Sequence, residues 1–274
     1  MTDDTPDSLR IALLGTGRMG REIAAIARDR GHRIVLAVGG GGIGPPADYA
    51  LRRLSRPRAL VESGADVAID ASVAEAVPGH VDHCAHAGIP VVIATTGWDA
   101  RRSEVEARAR DAGIGLLFAP NFSLGVNLFL RILSDALRTL EGPNRVAGYD
   151  VALHEAHHRY KVDHPSGTAL RIAREILSSF DGKEEWSHQL PSGRAVDPRT
   201  LQISVTRSGE IPGTHVVTFE GPDDRIELRH EARSRRGFAA GAVTGAEWIR
   251  HRRGVFSMQD LLEALQSDSQ RDDP

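Results

Sequence analysis

The chain has 274 residues, 41% of them hydrophobic, enough for one large core or two smaller ones. A formal net charge of −3 argues against a general nucleic-acid binder, whose footprint is a basic excess or stripe. The single cysteine, Cys84, excludes an intrachain disulfide framework and fits a reducing compartment, and no apolar run approaches the length of a membrane span. MTDDTPDSLR lacks the basic-then-apolar order of a signal peptide, so the expectation is a cytoplasmic protein without membrane or nucleic-acid partners.

RIALLG (10–15) reads as a strand, REIAAIARDR (21–30) as a helix with Ile23, Ile26 and Ala27 on one face, and Gly31 as its stop. RIVLAV (33–38) is a second strand, and GGGGIGPP (39–46) is a loop. DVAID (66–70), IPVVIATTG (89–97) and GIGLLFAPN (113–121) are further continuous apolar runs rich in β-branched residues. Helical patterns around EAVPGHVDHCAHAG and DARRSEVEARARDAG separate them. Strands buried on both faces and alternating with helices predict a doubly wound, Rossmann-type parallel α/β domain over residues 9–122.

The pattern then changes. A helix over 123–140 leads into YDVALHEAHH (149–158), then a helix over 169–180. LQISVTRSG, HVVTFEG and RIELRHEARS follow with little helix between them. Three consecutive strand-like runs predict a central α+β domain over 123–236 with an antiparallel or mixed sheet. FAAGAVTGAEWIRHR and MQDLLEAL are read as helices within 237–267 that return to the first domain.

Two stretches carry chemistry. Gly15-x-Gly17-x-x-Gly20 follows a strand and opens a helix, the context in which backbone N–H groups and a helix N-terminus receive a pyrophosphate. The acid expected at the end of the second strand for NAD ribose hydroxyls is missing; Val38 is followed by Gly39 and Gly40. Such a site places no carboxylate against a 2′-phosphate, and Arg52, Arg53 or Arg56 could fold over one, although all three equally suit a solvated surface.

The second stretch is HEAHHRYKVDHPSGTAL (154–170). Its opening spells H-E-x-x-H, which on a helix would put His154 and His158 on one face as zinc ligands with Glu155 as general base. Tyr149, Val151 and Leu153 alternate with Asp150, Ala152 and His154, however, which is the period of a strand. A strand delivers His157 and His158 to a loop, where a histidine donates a proton near neutral pH and Lys161 adds positive charge. Ser166, Gly167 and Thr168 then open a helix whose N-terminal N–H groups suit a substrate carboxylate, although Ser166 and Thr168 also suit ordinary N-capping.

At these residues the chain resembles the 4-hydroxy-tetrahydrodipicolinate reductase (dihydrodipicolinate reductase) family, nicotinamide-dependent enzymes of the diaminopimelate route to lysine. The resemblance runs through GTGRMGREI, DVAIDAS, VVIATTGW, FAPNFSLGVNLF, EAHHRYKVDHPSGTAL, RSGEIPGTHVVTFEG and ARSRRGFAAGA, in that order and over nearly the whole length. It implies that NADPH or NADH reduces a cyclic imine dicarboxylate, with His157 as proton donor and Lys161 as catalytic lysine. It also implies substrate contacts at His158, Gly167 and Thr168, to which the helix-start argument adds Ser166. Cofactor contacts are implied at Gly15, Thr16, Gly17, Arg18, Met19 and Gly20, at Ala94, Thr95 and Thr96, and at Ala119, Pro120, Asn121 and Phe122. A homotetramer built through the central sheet is implied as well, and no resident metal. Three positions depart from the family pattern: Gly39 and Gly40 replace an acid and often a base, and Ala71 replaces a phenylalanine near the nicotinamide. Three other readings remain open: a non-catalytic NADP(H) sensor, a paralogous reductase with another substrate, and an H-E-x-x-H zinc hydrolase.

Overall fold

The computed structural model describes residues 8–40, 45–54, 58–142, 144 and 148–269. The chain divides into two compact units, Met1–Leu124 with Arg235–Pro274, and Gly125–Ser234.

The first unit opens with β1 (Arg10–Leu14), α1 (Arg18–Asp29), β2 (Arg33–Val38), β3 (Tyr49–Leu51) and α2 (Arg58–Ser63). It continues with β4 (Val67–Asp70), α3 (Val77–Ala87), β5 (Val91–Ile93), α4 (Arg102–Asp111) and β6 (Gly115–Phe118). The second unit contains α5 (Leu124–Glu141, from its second residue), β7 (Asp150–His157), α6 (Gly167–Ser179) and β8 (Glu185–Ser187). Its sheet is completed by β9 (Thr200–Arg207), β10 (Thr214–Glu220) and β11 (Arg225–Glu231). α7 (Arg236–Ile249), β12 (Gly254–Phe256) and α8 (Met258–Ser269) close the chain.

The first sheet has seven strands in the order β12-β6-β5-β4-β1-β2-β3, every pair parallel. Because side chains alternate across a strand, each strand feeds two cores. Ile11, Leu13, Ile69, Val92 and Leu117 pack on one face with Ile23 and Ala27 of α1 and Ala242, Val243 and Ala246 of α7. Ala12, Leu14, Ala68, Val91, Ile93 and Leu116 pack on the other with Val81 of α3 and Val105 of α4. Each buried Leu, Ile or Val contributes about 1.5–3 kcal/mol, and the two cores explain the unbroken apolar runs. Three short strands carry no pattern of their own. β3 and β8 are recruited at sheet edges, and β12 extends the parallel sheet beside β6 within the segment read as helices alone.

The second sheet runs β11-β10-β7-β9-β8, with β7, β9 and β8 parallel and β10 antiparallel to both β7 and β11. It is therefore mixed. One face is covered by α5 and α6: Val151, Leu153, Leu201, Ile203, Val217 and Phe219 pack against Leu133 and Leu137 of α5 and Ile172 and Ile176 of α6. The residues between them, such as Ala152, Ser204 and Thr218, alternate onto the opposite face.

Candidate active site

In the first unit the chain reverses strand order at β1, which lies between β4 and β2, and ligands of such sheets bind beyond the carboxyl ends of the strands. There the glycine turn leaves β1. Gly15 has φ +112°, and a Cβ on it would overlap the carbonyl of Ala71. A Cβ on Gly20 would likewise overlap the carbonyl of Gly15, so α1 packs directly on the turn. Gly17 is the N-cap of α1, has no side-chain cap bond, and has open space where a Cβ would point. An anion is therefore free to approach the helix end, beside the exposed Arg18; Met19 turns back onto the core.

A cavity of about 510 Å³ opens here, lined among others by Gly15, Gly17, Gly39, Arg52, Arg53 and His80. Thr16 fills the space above Gly39, where an added Cβ would overlap its hydroxyl. The Gly39 N–H donates to the carbonyl of Leu51 at 2.8 Å, which carries the end of β3 and the two arginines into the cavity wall. Arg56 lies outside the described residues. These features fit a dinucleotide: a cradle that only glycine permits, a free helix N-terminus, and cations beside the second strand.

The other segments implied as cofactor contacts follow β5 and β6. Thr96 and Pro120 are exposed, Ala94 and Asn121 half-buried, and Ala119 and Phe122 buried. The buried Thr95 hydroxyl is committed to Asp70, donating to Oδ1 at 2.7 Å. Asp70 also accepts the Ser72 hydroxyl at 2.6 Å and contacts His80 Nδ1 at 2.7 Å. This fully buried carboxylate ties together the turns after β4 and β5. Its one signal in the sequence is an acid ending an apolar strand.

In the second unit His157 ends β7. Register places Arg207 of β9 opposite His157, and His215 of β10 opposite Glu155. These four residues are thus neighbours on adjoining strands. Glu155 is fully buried. Its Oε1 accepts the Ser166 N–H at 3.0 Å and Arg207 Nη2 at 2.8 Å, and its Oε2 lies 3.3 Å from His157 Nδ1. Burial opposes ionisation of this carboxyl, but His157, Ser166 and Arg207 outweigh it and hold the group well below the usual carboxylate range. His215 contacts the Ser166 hydroxyl through Nε2 at 3.2 Å and meets the His157 ring edge-on at 5.3 Å. Burial, then the neighbouring His157, pushes His215 down to about 3, so it is neutral at physiological pH. A Cβ on Gly213 (φ +152°) would stand 3.1 Å from His157 Nε2, so the glycine leaves that edge of the ring uncrowded.

Arg207 also holds the loop after β7, donating to the carbonyls of Lys161 at 3.3 Å and Asp163 at 2.7 Å. Lys161 Nζ is paired with the Asp163 carboxylate at 2.7 and 2.9 Å. His158 is half-buried, with its ring 6.1 Å from that of Tyr160. Ser166 is the N-cap of α6, its hydroxyl accepting the Ala169 N–H at 3.1 Å. Buried, capping the helix and facing His215, that hydroxyl is occupied within the protein. The exposed start of α6 is formed by Gly167 and the half-buried Thr168.

The H-E-x-x-H helix is not formed. His154 and His158 belong to a strand and the loop beyond it, and His154 contacts the Ser204 hydroxyl at 2.8 Å. Among the described residues, the one group of donors at metal-ligating spacing is Glu155, His157 and His215, whose atoms lie within 4.8 Å of one another. The Arg207 guanidinium on the same carboxylate already supplies the positive charge a cation would bring, so the group reads as a hydrogen-bonded cluster. Glu155, Arg207, Gly213 and His215 were not singled out as partners of His157, because strand register, and not sequence proximity, unites them.

The family model described as dihydrodipicolinate reductase, N-terminus, matches residues 9–122, and that described as dihydrodipicolinate reductase, C-terminus, matches residues 125–262. A 4-hydroxy-tetrahydrodipicolinate reductase of Christiangramia forsetii is 36% identical over 257 residues, 94% of this chain and 99% of the relative. One from Thiobacillus denitrificans is 37% identical over 272 residues, 93% of this chain and 98% of the relative. Among solved structures, a dipicolinate-bound dihydrodipicolinate reductase from Paenisporosarcina sp. TG-14 shares the fold, with a TM-score of 0.72 and 22% identity over 91% of this chain and 97% of the other. With a glycine cradle in one unit, a buttressed histidine in the other and the two family models matched over 9–122 and 125–262, the chain belongs to the dihydrodipicolinate reductase family of NAD(P)H-dependent oxidoreductases.

Proposed function

We propose that this chain reduces 4-hydroxy-tetrahydrodipicolinate to tetrahydrodipicolinate, a step of diaminopimelate and lysine biosynthesis, with the substrate hydroxyl leaving as water. The observation that carries the reading is His157 at the end of β7, backed by the buried Glu155 and followed by Lys161 and the open start of α6. NADPH or NADH supplies the hydride.

In this reading His157 gives a proton to the ring carbon made electron-rich by reduction, and Lys161 adds positive charge beside it. His158, Gly167 and Thr168 receive the carboxylates of the cyclic substrate, with Ser166 holding the helix start in place. Lys161 exchanges its Asp163 partner for the substrate anion. The residues from Gly15 to Gly20 receive the pyrophosphate, and the turns at 94–96 and 119–122 flank the remainder of the cofactor. Residues 9–122, with the helices of 237–267, serve as the dinucleotide-binding domain, and 123–236 as the domain for substrate and assembly. Among the described residues α5 and α6 cover one face of the five-stranded sheet, and this supports a homotetramer built through its other face. The protein acts in the cytoplasm in this reading; among the described residues no helix is long and apolar enough to cross a membrane.

The test is the initial rate of NADPH and NADH oxidation with freshly generated substrate. Substrate-dependent oxidation is expected. Tight binding of either cofactor with no turnover contradicts the proposal and favours a sensing protein.

A further inference from the structure

We propose that Glu155 is a positioning residue for the reduction: its buried carboxylate holds His157 with Nδ1 protonated and turned inward, so that Nε2 is the nitrogen that delivers the proton. The inference rests on the function proposed above and gives the carboxylate behind His157 a specific task in it.

Three observations carry it. Glu155 Oε2 and His157 Nδ1 are both buried, neither makes an aligned hydrogen bond, and they face each other at 3.3 Å. A bare nitrogen there would set a lone pair against a carboxylate, so the proton belongs on Nδ1. The carboxylate cannot swing away, because the Ser166 N–H and Arg207 hold its other oxygen. On the far side of the ring Gly213 has no side chain, and a Cβ there would press on Nε2. The inward nitrogen is thus anchored and the outward one is left clear.

The charged and titratable groups against His157 are Glu155 on its own strand, Arg207 opposite it on β9 and His215 on β10, while Lys161 in the following loop is paired with Asp163. Arg207 is spent on Glu155 Oε1 and Lys161 on Asp163, which leaves Oε2 as the anionic atom nearest the ring. His215, kept neutral by burial, is not a competing acid. In the transfer the Nε2–H bond of the imidazolium breaks, a C–H bond forms on the substrate ring, and neutral His157 later takes a proton from water. Glu155 stays ionised throughout and stabilises the charged form of the donor.

The experiment joins Glu155→Gln kinetics to nitrogen-15 NMR of the wild-type histidine rings. Gln keeps an acceptor for Ser166 and Arg207 but turns an N–H toward Nδ1. In the variant kcat should fall about 10- to 100-fold, as expected for a weakened general acid, while NADPH Kd changes less than about twofold. The alkaline limb of kcat, where the donor loses its proton, should move to lower pH by about one unit as the nearby charge is removed. A variant with an unchanged pH profile overturns the proposal. Wild-type spectra should show neutral His157 protonated on Nδ1; protonation on Nε2 overturns it even if the variant fails to fold. Absence of wild-type turnover would instead strike at the proposed function, and the spectra would still report the tautomer.

Discussion

At the scale of single residues, the second unit keeps an unusual set of groups away from water. His215 is held neutral by burial, and on the opposed strand Glu155 is held ionised against burial by His157, Ser166 and Arg207. Between pH 6.5 and about 3 the unfolded chain binds a proton at residue 215 that the folded chain refuses. Stability must therefore decline as pH falls through that window. Glu155, whose folded value is depressed, adds its own loss only below its ordinary 4.5. The His215 contribution is on the order of a few kcal/mol. Urea unfolding from pH 7.5 to 4.5 should show wild-type stability dropping from near pH 6.5, and a shallower decline in His215→Asn. Parallel curves for the two proteins would mean that residue 215 is hydrated and titrates normally in the folded state.

At the scale of elements, the ends of β2 and β3 form one wall of the cofactor cavity. β2 is followed by glycines with no charge to offer, and the Gly39–Leu51 hydrogen bond holds the end of β3 alongside, with Arg52 and Arg53 just beyond it. Both arginines are exposed, and among the described residues neither makes an ion pair. A charge-assisted contact to a 2′-phosphate contributes about 1.5–3 kcal/mol, so replacing both with alanine should raise the NADPH Kd by about 10-fold or more. Binding of NADH, which lacks that phosphate, should hardly change. Equal weakening for both cofactors, measured by titration calorimetry, would show that the arginines do not discriminate between them. The pair was visible in the sequence, but its adjacency to Gly39 was not: β3 is three residues long and has no periodicity of its own.

At the scale of the molecule, legibility followed burial pattern. The strands of the first sheet are covered on both faces, so RIALLG, RIVLAV and IPVVIATTG stand out as continuous apolar runs between helices. The strand carrying HEAHH was legible for the opposite reason: one face packs on helices, so Val151 and Leu153 alternate with Asp150 and Ala152. The same alternation favours a strand over a zinc helix, and the structure forms the strand. What could not be read was register. His157 and Lys161 lie four positions apart in the chain, whereas Arg207 and His215 reach the cluster from other strands, and nothing local marks them as neighbours of Glu155. β12 was hidden between two helices because a three-residue edge strand depends on β6 for its hydrogen bonds.

In the proposed reduction His157 gives the proton. Single-turnover rates of wild type and His157→Ala, each preloaded with NADPH and mixed with freshly generated substrate, test it most directly. The expected result is a loss of about 10²–10⁴-fold in the rate of NADPH oxidation, the usual worth of a general acid, with the NADPH Kd unchanged. A variant that turns over at the wild-type rate would contradict the account and move the proton donor to another group.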